Sequence, residues 1–280
     1  MAEKISIIGP GTMGTGIAQT FLQSGFNVIL IGRNEESAKK GLDMINAGIS
    51  KAIAKGSLKE SDRAEMLARL TIAHSYEQTS GSVLVVEAVS EILESKIEVL
   101  KECEKHAKGA LIASNTSSIS ITRLGASLSD PEMFIGMHFF NPVPVMKPVE
   151  VIAGEKTSQK ALDIAFRLSE KCGKTPIKVN DYPGFVANSI LMPMLNEAML
   201  LLERHVATKE GIDSIVKLGL RHPMGPLELA DFIGLDVCLD ITNSIYKATN
   251  DEKYKPANLL VDMVNLKKLG KKTGEGFYKY

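Results

Sequence analysis

The chain has 280 residues, more than one small core needs and enough for two domains. Its 33 Lys+Arg balance 33 Asp+Glu, so no whole-molecule field draws it to nucleic acid or to an anionic membrane, and no apolar run approaches the ~20 residues of a bilayer span. The start, MAEKISIIG, turns strand-like at once and leaves no room for a signal peptide, while Cys103, Cys172 and Cys238 lack the spacing of a disulfide framework or a zinc site; a reducing cytoplasm and no metal are expected.

In chain order, continuous apolar runs at 4–9, 27–32, 82–89, 110–114 and 134–140 predict buried strands. Helical segments at 14–24, 35–55 and 94–107 separate most of them. This alternation predicts an α/β fold, a Rossmann-like, doubly wound, mainly parallel sheet. Residues 148–152 and 175–179 add strands around a helix at 157–172. After Pro183 the texture changes. One long apolar helix is expected over 184–204, kinked at Pro193, then helices near 208–218, 226–233, 235–249 and 256–268, with no strand among them. The reading is a dinucleotide-binding domain over 1–183 and a smaller all-α domain over 184–280 for substrate and dimerisation. An apolar helical domain this small would expose much apolar surface alone, so a homodimer through it is expected.

The first strand-to-helix turn, IIGPGTMGTGIA, holds Gly9, Gly11 and Gly14 in G-x-G-x-x-G spacing. Gly9 allows the tight turn, Gly11 lets backbone approach a pyrophosphate, and Gly14 lets helix and strand pack closely. Thr12 and Met13 complete the cradle, at the helix N-terminus whose N–H groups face the phosphate charge. An NAD site usually ends its second strand in an acid that accepts from the ribose 2′-OH. Here that strand ends LIGRN, with Gly32 in the acid's place and Arg33 and Asn34 after it. A guanidinium suits a 2′-phosphate, so NADP is favoured over NAD.

The stretches GPGTMGTGIA, ASNTSSISIT, GMHFFNPVPVMKPVEVI, PGFVANSIL, HPMGPLELADFIGLD and GKKTGEGFYKY together resemble the 3-hydroxyacyl-CoA dehydrogenase family, from about residue 4 to residue 280. In length the chain is most like its short bacterial members, the 3-hydroxybutyryl-CoA dehydrogenases. The resemblance implies an acyl-CoA substrate and hydride exchange with a nicotinamide cofactor. It makes His138 the catalytic histidine and Glu150 its orienting partner, with Ser117 and Asn188 completing a site drawn from both domains. A histidine titrating near neutrality suits the proton that accompanies the hydride, and the intervening prolines stiffen the connection. The family also implies cofactor contacts from Glu91, Lys96, Asn115, Ser117, Asn141 and Lys272, although Ile92 replaces the asparagine common after that glutamate. Lys51, Lys55 and Lys59 recur at every fourth residue as one expected basic stripe, where the family places coenzyme A; Ser50 and Lys55 are the implied substrate contacts, beside Ser117 and Asn188.

Two other readings stay open. A 6-phosphogluconate-like 3-hydroxyacid dehydrogenase would carry a lysine on the helix at 184–204, which has none. A non-catalytic dinucleotide-sensing module would need the glycine cradle but not His138, Glu150, Ser117 and Asn188 together.

Overall fold

The computed structural model describes residues 2–280 and divides into two compact units, the first ending at Asp181 and the second running Tyr182–Tyr280. In the first, the elements follow in the order β1 (Lys4–Ile8), α1 (Thr12–Gln23), β2 (Asn27–Ile31), α2 (Glu35–Ala54), α3 (Glu60–Ala68), β3 (Leu70–Ala73), β4 (Leu84–Glu87), α4 (Leu93–His106), β5 (Leu111–Ser114), α5 (Ile121–Gly125), β6 (Phe134–Phe139), β7 (Pro148–Ala153), α6 (Gln159–Lys171) and β8 (Thr175–Asn180). They form one eight-stranded sheet in the order β3-β2-β1-β4-β5-β6-β7-β8. Every pairing is parallel except β6 with β7. The expected mainly parallel, doubly wound α/β sheet is therefore present. The strand order reverses between β1 and β4, and open α/β sheets bind ligands in the crevice at that point.

The central strands are buried along nearly their whole length, which accounts for their continuous apolar runs. Ile17, Phe21 and Leu22 of α1 pack on Ile5, Ile7 and Leu30 of the sheet. Two elements depart from expectation. The β3 strand is a short, half-exposed edge strand with one buried residue, Ala73, too little to leave a sequence period. The helix expected over 35–55 ends at Ala54, because Gly56 takes the left-handed conformation (φ 72°) and a new helix begins after Lys59, whose N–H donates to Asp62 at 2.8 Å. Lys51, Lys55 and Lys59 thus do not share one helical stripe.

The second unit contains α7 (Ala187–Glu203), α8 (Lys209–Gly219), α9 (Pro226–Ile233), α10 (Leu235–Thr249) and α11 (Asn258–Asn265). They surround a core that includes Met192, Leu195, Met199, Leu227, Leu235, Ile245 and Tyr254. Helix α7 starts later than the apolar run, after Gly184 and Phe185 in left-handed conformations, and continues through Pro193. The proline supplies no N–H for the carbonyl of Ser189; the Tyr254 hydroxyl donates to that oxygen instead, at 3.4 Å. Two buried carboxylates tie down the tail. Asp231 accepts from the N–H groups of Phe277 and Tyr278, and Asp213 from those of Leu227 and Glu228 and from the Tyr278 hydroxyl. Among the described residues, no helix is long and apolar enough to cross a membrane.

Candidate active site

The turn from β1 to α1 is built around what glycine lacks. Gly9 has φ 102°, and a Cβ there would sit 2.6 Å from the carbonyl oxygen of Ala88. A Cβ on Gly14 would sit 1.9 Å from the carbonyl oxygen of Gly9, so strand and helix touch through bare backbone. At Gly11 the opposite holds: a Cβ would meet nothing within 4 Å. That open space lies at the helix start, where Thr12, Met13 and Gly14 precede the first intrahelical bond, from Thr15 N to Gly11 O. Unpaired N–H groups beside open space are what a pyrophosphate requires, so these residues fit a dinucleotide.

The end of β2 is crowded. A Cβ on Gly32 would lie 2.5 Å from Ser37 Oγ and 2.6 Å from Ala38 N, so the place of the ribose-binding acid has no room for a side chain. Asn34 caps α2: its Oδ1 accepts from Ser37 N at 2.8 Å, and its own N–H donates to Ser37 Oγ at 3.2 Å. Asn34, expected at the cofactor, thus has its side-chain oxygen engaged in the helix cap, while Arg33 beside it is exposed.

At the ends of β4 and β5 lies a network of charges. Glu87 is fully buried and receives bonds from Lys96 Nζ (2.8 Å), Val89 N (2.7 Å) and Ser114 Oγ (2.6 Å). Lys96 pairs on its other side with Glu91 Oε2 at 3.2 Å. Glu91 Oε1 accepts from Thr116 Oγ1, the N–H groups of Ser117 and Ser118, and the Ser118 hydroxyl, all within 3.0 Å. Burial pushes the Glu91 carboxyl upward, but Lys96 and the Thr116, Ser117 and Ser118 donors outweigh it and hold it below its ordinary value. Glu91 and Ser117, each expected at the cofactor, meet here through the Ser117 N–H. Lys96, expected at the cofactor, is 1% exposed and lies between two carboxylates, Glu87 and Glu91. Glu87 was not singled out from sequence; its signal is an acid ending an otherwise apolar strand.

On β6 and β7, His138 and Glu150 are direct cross-strand partners, both buried, with Nδ1 2.7 Å from Glu150 Oε2. The Phe140 ring lies 4.9 Å from the imidazole. Asn115, just past β5, accepts from Phe139 N at 2.9 Å, so its side-chain oxygen ties the end of β5 to the residue after His138. Asn141 is exposed and precedes a cis-proline.

The remaining expected residues lie on other elements of each unit. Ser50 is exposed on α2, and both Arg63 terminal nitrogens donate to its hydroxyl at 3.2 Å. Lys55 caps the end of that helix. Arg63 was missed because the turn at Gly56, which folds α3 back towards Ser50, was not foreseen. In the second unit, Asn188 is buried in the first turn of α7. Lys272, expected to reach the cofactor, is held by the Asp236 carboxylate at 2.5 and 2.6 Å.

Residues 4–182 match the NAD binding domain of 3-hydroxyacyl-CoA dehydrogenase, and residues 184–280 match its C-terminal domain. A protein of Deinococcus radiodurans named probable 3-hydroxybutyryl-CoA dehydrogenase is 46% identical, over 99% of this chain and 100% of its own. The 3-hydroxybutyryl-CoA dehydrogenase of Clostridioides difficile is 44% identical over 99% of both chains. The crystal structure of (S)-3-hydroxybutyryl-CoA dehydrogenase from Ralstonia eutropha superposes with a TM-score of 0.95 at 44% identity, covering 100% of this chain and 99% of that one. Two domain matches and relatives alike from end to end agree with the sheet order and the glycine turn: the chain belongs to the 3-hydroxyacyl-CoA dehydrogenase family.

Proposed function

We propose that the protein interconverts (S)-3-hydroxybutyryl-CoA and acetoacetyl-CoA, using NADP(H) in preference to NAD(H). The observation that carries the reading is the buried His138–Glu150 pair. A bound nicotinamide would take up the hydride from the alcohol carbon, or return it. Glu150 accepts a hydrogen bond from Nδ1–H, which fixes the imidazole's tautomer and leaves Nε2 to exchange the proton of the substrate oxygen. In oxidation His138 takes the hydroxyl proton as the carbonyl forms, and in reduction it gives that proton back. Ser117, on the loop held by Glu91, donates to the reacting oxygen. Asn188 donates to the same oxygen or to the thioester carbonyl as charge builds there.

The filled space at Gly32 and the exposed guanidinium of Arg33 support NADP. Arg33 would pair with the 2′-phosphate, and no carboxylate stands at position 32 to repel it. Ser50 and Lys55, joined by Arg63, supply polar and cationic groups for the phosphates of coenzyme A. Val206, Ile215, Leu218 and Leu220 are exposed in the second unit and support a homodimer through it.

The test is loss of reduced-nicotinamide absorbance on adding acetoacetyl-CoA, with NADPH and NADH compared. Turnover with a lower KM for NADPH is expected. Absence of turnover with either cofactor would favour the dinucleotide-sensing module.

A further inference from the structure

Glu87 is unusual among the acids of the first unit. It is 0% exposed, so neither substrate nor cofactor can reach it, yet all its contacts lie where β4 and β5 end. A buried carboxylate needs strong partners, and it has three: Lys96 Nζ at 2.8 Å, Val89 N at 2.7 Å and Ser114 Oγ at 2.6 Å. Lys96 in turn spends its three donors on Glu87, the Val89 carbonyl (3.3 Å) and Glu91 Oε2 (3.2 Å). One Glu91 oxygen therefore faces the lysine. The other faces the loop and accepts from Ser117 N at 2.9 Å and Ser118 N at 3.0 Å. A buried ion pair contributes little net stability over an apolar replacement; what it supplies is direction.

We propose that Glu87 is a positioning residue: through Lys96 it aims Glu91 at the amides of Ser117 and Ser118, and so sets the Ser117 hydroxyl. With Glu87 neutral, the ammonium has one carboxylate left and draws Glu91 inward, away from the loop. Ser114 still has an acceptor in a Glu87→Gln variant, and the strand ends keep their backbone pairing. The change is then local to the loop. The consequence for turnover rests on the proposed role of Ser117, whereas the consequence for the loop does not.

Amide hydrogen exchange in the full-length, ligand-free protein tests the loop directly. Glu87→Gln should speed exchange at Ser117 and Ser118 by about tenfold or more, leaving the amides of α6 and α11 unchanged. The Glu87→Gln/Lys96→Gln variant leaves no ammonium to hold Glu91 Oε2, so the aim is lost rather than redirected, and exchange at Ser117 and Ser118 should rise there too. Unchanged protection at Ser117 and Ser118, or uniform loosening throughout the chain in both variants, overturns the proposal. A kinetic cycle adds the second readout. Glu87→Gln should lower kcat about tenfold in the wild-type background but less than about twofold once Ser117 is alanine. The same tenfold loss in the Ser117→Ala background also overturns it. A wild-type protein that exchanges as described but turns over no acetoacetyl-CoA would end the enzymatic reading while leaving the loop mechanism intact, so the two failures are separable.

Discussion

His138 lies directly opposite Glu150 across the antiparallel pairing of β6 and β7, its Nδ1 2.7 Å from the carboxylate. Side chains opposite each other in a strand pair share a face, so the register alone brings this pair together. A slip of one residue would send Glu150 to the other face. His138→Gln and Glu150→Gln are each expected to cut kcat by about a hundredfold or more while cofactor affinity stays near wild type. Steady-state kinetics with a fluorescence titration of the cofactor checks both halves. Retained turnover in either variant removes that residue from the mechanism.

Arg33→Ala should raise the KM for NADPH by about tenfold or more and leave that for NADH nearly unchanged. Equal losses with both cofactors would mean that Arg33 does not read the 2′-phosphate. The usual conversion to NAD, Gly32→Asp, should fail here. Its Cβ would fall 2.5 Å from Ser37 Oγ, so the start of α2 must move, at a cost of about 1–3 kcal/mol in a urea titration.

Gly11 and Gly14 should respond to the same substitution in opposite ways. Alanine at 14 would press its methyl 1.9 Å from the Gly9 carbonyl oxygen, and unfolding free energy should fall by about 3 kcal/mol. Alanine at 11 meets no protein atom within 4 Å, so stability should change by less than about 1 kcal/mol. Its methyl would occupy the space above the helix N-terminus, and dinucleotide affinity should drop about tenfold or more. Paired urea and binding titrations separate the two outcomes; an intact affinity for the alanine variant at 11 would place the pyrophosphate elsewhere.

Glu91 predicts a pH dependence whose sign follows from its environment. Burial opposes ionisation, but Lys96 and the loop donors prevail, so the folded pKa lies below the ordinary 4.5. The stability this carboxylate contributes is then fully present above the unfolded value and is lost as pH falls through the folded one. The stability gap between wild type and Glu91→Gln should be widest near neutrality and close as the pH drops below about 4. Urea midpoints across that range measure it, and a gap that widens on acidification contradicts the assignment.

The sheet was legible because its central strands are buried on both faces and read as unbroken apolar runs, as in KISII and LVVE. The glycine turn was legible because spacing and context came together. The edge strand β3 was not, since four half-exposed residues carry no period. Lys59 was misplaced because a single left-handed glycine, Gly56, ends the helix after Ala54, and Lys59 falls at the start of the next one. Arg33 and Asn34 could be located as neighbours of the second strand, but that Asn34 caps a helix depends on the Ser37 side chain turning back towards it. Lys96 was marked through its family position; that it lies inside, between two acids, is a tertiary fact. Glu87 stands nine residues earlier, and only the fold makes them partners.

The tethering of the tail by Asp231 limits how the chain can be shortened. That side chain is 1% exposed, and its donors are the amides of Phe277 and Tyr278 and the Tyr280 hydroxyl. Without residues 277–280 all three donors are gone, and a carboxyl that burial already pushes above its ordinary value loses the bonds that oppose that shift. Loss of those few residues would then act as a folding lesion in the helical core rather than as the trimming of a loose segment.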